Sequence, residues 1–421
     1  MRFGLRACAL ASVLVSATLG TAWADEPVPG ASVESLLQLA KERNPDLGSM
    51  RFEAQAALER IQPAGALPDP KFRVEWMDIT KMGEQNPTLL PANVGSTRYT
   101  LMQDFPWFGK RALKRDIAQL DADGSQSKVS GSWTELAAKI KVAQAQRYYW
   151  RTNEQLTLEI LDLMARLEKI AQARYGSGLA AQQDVIRSQI EQTTMRTDLL
   201  MQQSERTQAD ARMNNLLARP AAAALAPAEA LRASPSPLDA GALEDRVRSR
   251  NPQLFGDAAR VQAAAKNRDL TFKNRYPDFT LSVTPAQYGS AIKEWSLMLE
   301  LNIPLQQASR RAMERESEAM LAAAQSRQQT TANQLLSDLA ENLAALQAAQ
   351  RSAALATNAL APQADLTFSS ALAGYENGKV DFATLLDAQR QIRQAKLTRI
   401  KAQLEAQMRL AEIEKLTGAD L

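Results

Sequence analysis

The 421-residue chain carries 50 lysine and arginine residues against 47 aspartate and glutamate residues, and it contains no histidine. The formal charge of +3 provides no basic excess that would indicate a nucleic-acid partner. The absence of histidine excludes serine–histidine and cysteine–histidine catalysis and the usual nitrogen-ligated zinc sites. We therefore predict no enzymatic activity, no cofactor and no metal site.

Residues 1–24 have the three parts of a secretory signal: two arginines, an apolar stretch and the cleavage site Ala22-Trp23-Ala24 before Asp25. Removing the two arginines leaves 48 basic residues against 47 acidic ones, so the charge falls to +1. The single cysteine, Cys8, lies inside the signal and follows no lipidation box. The mature chain is therefore expected to lack disulfides and an N-terminal lipid.

Four short motifs recur in the same order in the two halves of the mature chain. The pairs are Arg43-Asn44-Pro45 with Arg250-Asn251-Pro252, Pro68-Asp69 with Pro277-Asp278, Pro106 with Pro304, and Tyr175-x-x-Gly178 with Tyr375-x-x-Gly378. Such self-similarity in the same order, at separations between 198 and 209 residues, indicates a structural duplication. We divide the chain into a first repeat over 25–218, a Pro/Ala-rich linker over 219–238 and a second repeat over 239–421.

Each repeat is predicted to contain, in chain order, a helix, two strands, a long helix, a Tyr-x-x-Gly turn and another helix. The strand patterns fall near 71–76, 99–103, 279–283 and 294–301. In the last of these, Trp295, Leu297, Leu299 and Leu301 would share one face. Alternating runs of about ten residues are typical of transmembrane strands. A soluble sheet with one buried face is the alternative.

The long helices are predicted from composition and periodicity. Residues 109–174 contain no proline and are rich in good helix formers. Apolar residues recur in a seven-residue pattern in both repeats, at Leu156, Ile160, Leu163, Leu167 and Ile170 and at Leu336, Leu339, Leu343 and Leu346. A helix over 111–173 would be ~95 Å long, so the molecule must be elongated. Helices of this kind are also compatible with an ordinary coiled-coil scaffold, but they leave nothing to cover a soluble sheet.

The membrane interpretation requires an oligomer. Backbone groups in lipid must be paired, so a membrane sheet has to close into a barrel. Four strands are too few, because known barrels begin at about eight strands. Two chains would supply eight strands and three chains twelve, and the sequence leaves this number open. The predicted fold is mixed, with a long α-helical coiled-coil barrel and four transmembrane β-strands per chain.

The duplication, the strand pairs, the long helices and the two turns together resemble the TolC-type outer membrane factors, the exit ducts of tripartite efflux pumps. Within that family, segments 64–70 and 103–111 resemble the heavy-metal cation branch. The resemblance implies a homotrimer with a twelve-stranded barrel in the outer membrane lipid and a helical tunnel in the periplasm. It also implies a periplasmic adaptor (membrane fusion protein) and an inner-membrane resistance–nodulation–division transporter as partners. Many relatives carry a lipidated cysteine where this chain has Asp25, so the barrel alone is expected to anchor it.

The resemblance also assigns site residues around the two turns. The adaptor docking tips would be Tyr175, Ser177, Gly178 and Leu179 in the first repeat and Asn377, Gly378 and Lys379 in the second. The periplasmic gate would comprise Asp184, Tyr375 and Asp387, with Asp184 and Tyr375 as a restraint between helices and Asp387 facing the pore.

This chain departs from the family pattern at several tip positions. Val380 stands where the family has a basic residue, and Thr384 replaces an acid, so Lys379 or Asp381 would have to complete the lock. Lys379 also makes the second docking tip more polar than in relatives. Ordinary solvated helix acids remain the alternative for Asp184 and Asp387.

Methionine could in principle bind soft copper or silver ions, and Met77, Met82 and Met102 fall on or near the strands. Their spacing is irregular, which favours ordinary gap-filling. The alternatives to a metal efflux duct are a duct for organic drugs or for type I secretion and, more remotely, a periplasmic coiled-coil adaptor. A secreted carboxylate enzyme is a third possibility, but the sequence shows no converging acids.

Overall fold

The computed structural model describes residues 28–233 and 238–421. The predicted signal over 1–24 and residues 234–237 of the linker lie outside these ranges. In chain order the elements are α1 (Val33–Arg43), α2 (Pro45–Glu59), α3 (Ile61–Gly65), β1 (Lys71–Met77), β2 (Ser96–Phe105), α4 (Lys110–Gly176), α5 (Gln182–Leu216), α6 (Ala240–Arg250), α7 (Pro252–Lys273), β3 (Asp278–Tyr288), β4 (Ala291–Asn302), α8 (Gln307–Leu355), a π-helical turn (Ala356–Leu360), α9 (Ala361–Glu376) and α10 (Phe382–Thr417). The same order of elements occurs in both halves, which confirms the predicted mixed and duplicated fold.

The four strands form one antiparallel sheet in the order β1-β2-β3-β4. The register aligns Phe72 with Leu101, Leu101 with Val283 and Val283 with Leu297, which makes an apolar row across all four strands. Phe72 and Leu297 are 66% and 72% exposed. In a soluble protein such a row would face a covering layer, so this face requires an apolar surrounding.

The opposite face of the sheet is polar. Lys71 bonds Asp104 at 2.8 Å, and the hydroxyls of Thr100 and Thr284 lie 2.9 Å apart. Within the described protomer, β1 and β4 each pair with a neighbour on one side only. The sheet therefore has an apolar exposed face, a polar face and two open edges.

Four helical columns continue below the sheet. The helix α4 alone spans 67 residues and packs against α2 and α5 on one side and against α7 and α10 on the other. The helices α7 and α10 in turn pack against α8, and α10 also packs against α9. The columns thus follow one another in the same order as the strands above them. In the described part of the chain, no helix is both long and apolar enough to cross a bilayer.

The recurring Arg-Asn-Pro motif joins two helices into each of two columns. Asn44 caps α2 by accepting from the Leu47 amide at 3.1 Å, and its side-chain amide donates to the Leu216 carbonyl at the end of α5, at 2.9 Å. Asn251 makes the same connection between α7 and α10, with 2.9 Å to the Leu416 carbonyl. The motif therefore satisfies an orphan amide of one helix and an orphan carbonyl of the other.

Replacing Asn251 by alanine is expected to lower the free energy of unfolding by about 1–3 kcal/mol, since a cap and a buried hydrogen bond are lost together. Asn251 is only 4% exposed and also accepts from the Gln253 and Leu254 amides. The thermal unfolding midpoint of the purified protein measures the effect. Asn44→Ala is the matched variant and should behave similarly. A pair of variants with unchanged midpoints would contradict this role.

The buried positions along the long helices depart from the predicted seven-residue pattern. Met164 and Ala171 are buried where Leu163 and Ile170 were expected, and these two are only partly buried. In α8, Leu335 is buried and Leu336 is partly buried. An α-helix has 3.6 residues per turn rather than 3.5, so the buried stripe moves around each helix along its length.

The π-helical turn Ala356–Leu360 interrupts the second long helix just before Pro362, whereas α4 has no such turn. Above the turn, buried positions of the two repeats match at a separation of 199, as for Ile140 and Leu339. Below it they match at 200, as for Ala171 and Ala371. A π turn accommodates one extra residue, so the second repeat carries a single-residue insertion here.

A buried ion cluster connects the middle of the molecule to the linker and to the C-terminal residues. Lys141 and Glu414 lie 2.8 Å apart, and both side chains are 3% exposed. Arg232 of the linker donates to both carboxylate oxygens of Glu414, at 2.8 and 2.9 Å. Lys141 also bonds Asp420. The cluster fixes the linker against α4 and α10.

Candidate functional site

Two tight turns end the long helices at the same end of the molecule. The first lies between α4 and α5, and the second lies between α9 and α10. Gly178 and Gly378 have φ angles of +73° and +68°, in the left-handed region that glycine adopts without a steric penalty. The amide of each glycine donates to the carbonyl of the preceding tyrosine, Tyr175 or Tyr375. The two turns therefore share one C-terminal capping geometry.

Ser177 and Asn377 stand just before the glycine of each turn, and their side chains make equivalent hydrogen bonds. The Ser177 hydroxyl donates to the Ala173 carbonyl at 3.0 Å, and the Asn377 amide donates to the Ala373 carbonyl at 2.7 Å. Both side chains thus satisfy the last turn of their own helix.

The two turns differ in what they expose. Tyr175 is 48% exposed and Leu179 is 68% exposed, whereas Tyr375 is only 2% exposed. Lys379 is exposed in the second turn. The first turn therefore presents an aromatic and an aliphatic side chain, and the second presents a cationic one.

Tyr375 contacts both repeats. Its hydroxyl donates to Oδ2 of Asp184 at 3.2 Å, and its ring lies 5.3 Å from the Phe382 ring. Burial, followed by the nearby charge of Asp184, raises the pKa of Tyr375 to about 12. The phenol therefore stays protonated near neutral pH and remains a hydrogen-bond donor to Asp184.

Within the protomer, Asp387 does not take part in the hydrogen bond between Asp184 and Tyr375. It is exposed, and its carboxylate accepts from the Gln391 side chain at 3.1 Å. Asp381 does not complete a lock either, because it caps α10 by accepting from the Thr384 amide at 2.9 Å and the Thr384 hydroxyl at 2.6 Å. The hydrogen bond from the Thr384 hydroxyl is the main cause of a lowered pKa of Asp381.

Val380 takes an apolar role at the position of the expected basic residue. A Cβ atom added to Gly374 would lie 3.0 Å from Cγ2 of Val380, so these two residues pack in close contact. The absence of a side chain at Gly374 therefore makes room for the Val380 side chain.

The principal contact that the sequence reasoning missed is Arg174, in the last turn of α4. Its Nη1 donates to the carbonyls of Tyr375 and Glu376 at 2.5 and 2.6 Å, and its Nη2 donates to the Leu179 carbonyl at 3.1 Å. The guanidinium also lies 4.8 Å from the centre of the Tyr375 ring. An arginine beside a helix end full of orphan carbonyls is the sequence signal that could have identified it.

Two ion pairs join α5 to α10 above the turns. Glu191 bonds Arg390 at 2.8 Å, and Asp198 bonds Arg393 at 2.6 Å. Together with Asp184 these two acids recur every seven residues along α5, so they share one face of that helix.

The described residues contain no group of three or more His, Cys, Asp or Glu side chains placed to hold a metal ion. Of the methionines near the strands, Met82 is 93% exposed and Met77 is 43% exposed. Met82 lies in the loop between β1 and β2, and Met102 lies on β2.

The fold is similar to that of several solved outer-membrane channels. The channel OprN has a TM-score of 0.81 at 20% identity, with 92% of this chain and 90% of that chain covered. VceC from Vibrio cholerae has a TM-score of 0.78 at 17% identity, covering 92% of this chain and 96% of that one. CusC has a TM-score of 0.76 at 16% identity, covering 92% of both chains. At these identities the likeness concerns the fold.

A comparison with curated proteins found no match. The family model described as "Outer membrane efflux protein" matches residues 36–219 and 243–419. The two matched segments take in both repeats, including both strand pairs and both turns. The chain therefore belongs to the outer membrane efflux proteins, with its sheet in the outer membrane and its helices in the periplasm.

Proposed function

We propose that the protein is the passive exit duct of a tripartite efflux pump and works as a homotrimer with a twelve-stranded barrel. One observation carries this proposal: the sheet has an exposed apolar face, a polar face and two open edges. Because an open edge is not tolerated in lipid, β4 of one protomer would pair with β1 of the next. The building units are the repeats 25–218 and 239–421, joined by the linker 219–238.

The two turns are the proposed docking tips for a periplasmic adaptor. Tyr175, Ser177, Gly178 and Leu179 form the first tip, and Asn377, Gly378 and Lys379 form the second. The exposed Leu179 suits an apolar contact, whereas Lys379 gives the second tip a polar character. An inner-membrane resistance–nodulation–division transporter would supply the energy, since the duct performs no chemistry of its own.

The proposed gate lies beside the tips and consists of Asp184, Tyr375 and Asp387. The 3.2 Å bond between Asp184 and Tyr375 supports a restraint that joins the repeats. The exposed Asp387 carboxylates of three protomers would form an acidic ring in the pore, which would attract cations.

Heavy-metal cations are the proposed cargo. Segments 64–70 and 103–111 support this choice, and the fold similarity to CusC is compatible with it. Organic drugs are the alternative cargo, with the same duct and a different transporter.

The test of function is the growth-inhibition profile of a deletion strain across copper, silver, zinc, cobalt, cadmium and nickel, with antibiotics and detergents alongside. We expect sensitivity to one or two metals and restoration by the plasmid-borne gene. Sensitivity to drugs alone would keep the duct and overturn the metal cargo. If the parent strain expresses the protein and the deletion leaves the inhibition profile unchanged, the result would oppose an efflux role.

Removing the acids of the gate is expected to raise the conductance of the isolated trimer in planar lipid bilayers. Asp184→Ala removes the acceptor of the Tyr375 hydroxyl, and Asp387→Ala removes the acidic ring, which should also lower cation selectivity. Asp365→Ala, which removes an exposed acid on α9 away from the turn, serves as the control. If the double variant conducts like the wild type, the gate does not lie here.

A further inference from the structure

We propose that Arg174 keeps the tip closed by joining the two hairpins of one protomer, an arrangement called the lock below. The first hairpin is α4 with α5, and the second is α9 with α10. Two ion pairs, Glu191–Arg390 and Asp198–Arg393, extend the lock upwards. The inference rests on the proposed gate, which it deepens by naming what holds Tyr375 in place.

Arg174 belongs to the first hairpin, but two of its three hydrogen bonds go to the second. The carbonyls of Tyr375 and Glu376 lie at the C-terminal end of α9, where the helix dipole concentrates negative charge. The third bond, to the Leu179 carbonyl, fixes the guanidinium to its own turn. One side chain therefore spans both turns.

The contact depends on the shape of the guanidinium as well as on its charge. The planar group donates from two nitrogens to three carbonyl oxygens and also covers the face of the Tyr375 ring. A lysine ammonium is a single point of charge and cannot reproduce this arrangement. The hydroxyl of the same tyrosine bonds Asp184, so the first hairpin holds Tyr375 at its backbone, its ring and its hydroxyl.

The second repeat has no arginine at the position that corresponds to Arg174. That position is Gly374, two hundred residues later, where a Cβ atom would press against the Val380 side chain at 3.0 Å. Val380 also stands where the resemblance implied a basic residue. The structure assigns the basic role at the tip to Arg174, which approaches Tyr375 from the first hairpin.

The ion pairs above the tip have a regular arrangement. Asp184, Glu191 and Asp198 lie on one face of α5 at intervals of seven residues. Arg390 and Arg393 lie three positions apart on α10, so their side chains are neighbours on that helix. Acids on the first hairpin thus meet bases on the second along about two helical turns.

The two parts of the lock should respond differently to salt. Arg390 is 60% exposed, so salt would screen the ion pair that it forms with Glu191. Arg174 is half-buried and bonds to carbonyl dipoles at short range, which are screened less. Raising the ionic strength should therefore loosen the Glu191–Arg390 pair before it releases the tip.

The first experiment measures the conductance of isolated trimers of Arg174→Gln in planar lipid bilayers. Since a hydrogen bond to a charged group is worth about a tenfold shift in an equilibrium, we expect the open fraction to rise at least about tenfold. Arg166→Gln is the matched control on α4, because Arg166 makes only an exposed pair with Asp162. Arg174→Lys should conduct more than the wild type and less than Arg174→Gln.

Four outcomes are distinguishable when Tyr375→Phe is measured in the same series. A rise for Arg174→Gln alone supports the role of Arg174 and overturns that of the hydroxyl bond to Asp184. A rise for both Arg174→Gln and Tyr375→Phe supports the lock. A rise for Tyr375→Phe alone overturns the role of Arg174 and leaves the proposed gate intact. No rise for either variant overturns the gate and the lock together. Heat-resistant trimers on a gel confirm that each variant is assembled before it is measured.

A charge exchange tests the ion pairs without relying on loss of function alone. Glu191→Arg places two cations side by side and should raise conductance, and Arg390→Glu should do the same with two acids. Combining the two substitutions restores opposite charges and should return conductance towards the wild-type value. A double variant that conducts as much as the single variants would overturn the role of this pair.

Discussion

Leu299→Arg is expected to abolish assembly of the protein in the outer membrane, whereas Met298→Arg is expected to be tolerated. Leu299 lies on the exposed apolar face of β4, where it is 62% exposed, and Met298 lies next to it on the polar face, where it is 46% exposed. A cation on the lipid face costs up to about 2–4 kcal/mol per chain at the middle of the bilayer and less towards the interfaces. Three symmetric copies would multiply this cost in a trimer.

The measurement is the amount of heat-resistant oligomer in outer-membrane extracts, with total expression as the reference. The two substitutions are adjacent, introduce the same side chain and differ only in the face that carries it. Equal loss in both variants would indicate a general defect of the strand. Normal assembly of Leu299→Arg would contradict the assignment of this face to lipid.

Glu414→Gln is expected to lower the free energy of unfolding by about 3–5 kcal/mol per protomer, because it removes the buried charge that Lys141 and Arg232 share and leaves the buried Lys141 with an exposed counter-charge alone. Glu414 is 3% exposed and bonds Lys141 and Arg232, and the exposed Asp420 would be the only acid left to Lys141. The thermal unfolding midpoint of the purified protein should fall clearly. The attachment of the linker would be weakened at the same time, since the Arg232 carbonyl would keep its bond from Gln407 but the guanidinium would lose its charged partner.

Glu412→Gln is the matched control for this prediction. Glu412 lies two residues earlier on α10 and pairs with Lys415 on the same helix, with both side chains about one-third exposed. Exposed pairs of this kind contribute at most about 1 kcal/mol. Similar midpoints for the two variants would show that the buried cluster is not a main source of stability.

The fold was largely predictable because its signals are local and occur twice. Alternation over 294–301 predicted β4 and its apolar face, and the absence of proline over 109–174 predicted α4. The buried seam was predicted less well, since the heptad at Leu163 and Ile170 gives way to Met164 and Ala171. The drift follows from helix geometry and is small in each turn, so it becomes visible only over a long helix.

The contacts at the tip were harder to predict because they join distant parts of the chain. The resemblance indicated Asp184 and Tyr375, which the fold brings within 3.2 Å of each other. Arg174 was not predicted because the resemblance implies a base in the second turn, whereas Arg174 lies beside the first. Its position in the last turn of a predicted helix was visible, but its carbonyl partners lie some 200 residues away.

The π-helical turn Ala356–Leu360 makes the long helices of the two repeats unequal in their tolerance of deletions. Removing one residue from this turn would restore an ordinary α-helix and leave the Tyr375 side chain pointing as it does now. The same deletion in α4, which has no surplus residue, would rotate everything below it by about 100° and draw it up by about 1.5 Å. Length variants of this protein should therefore survive in the second long helix at a point where the first admits none.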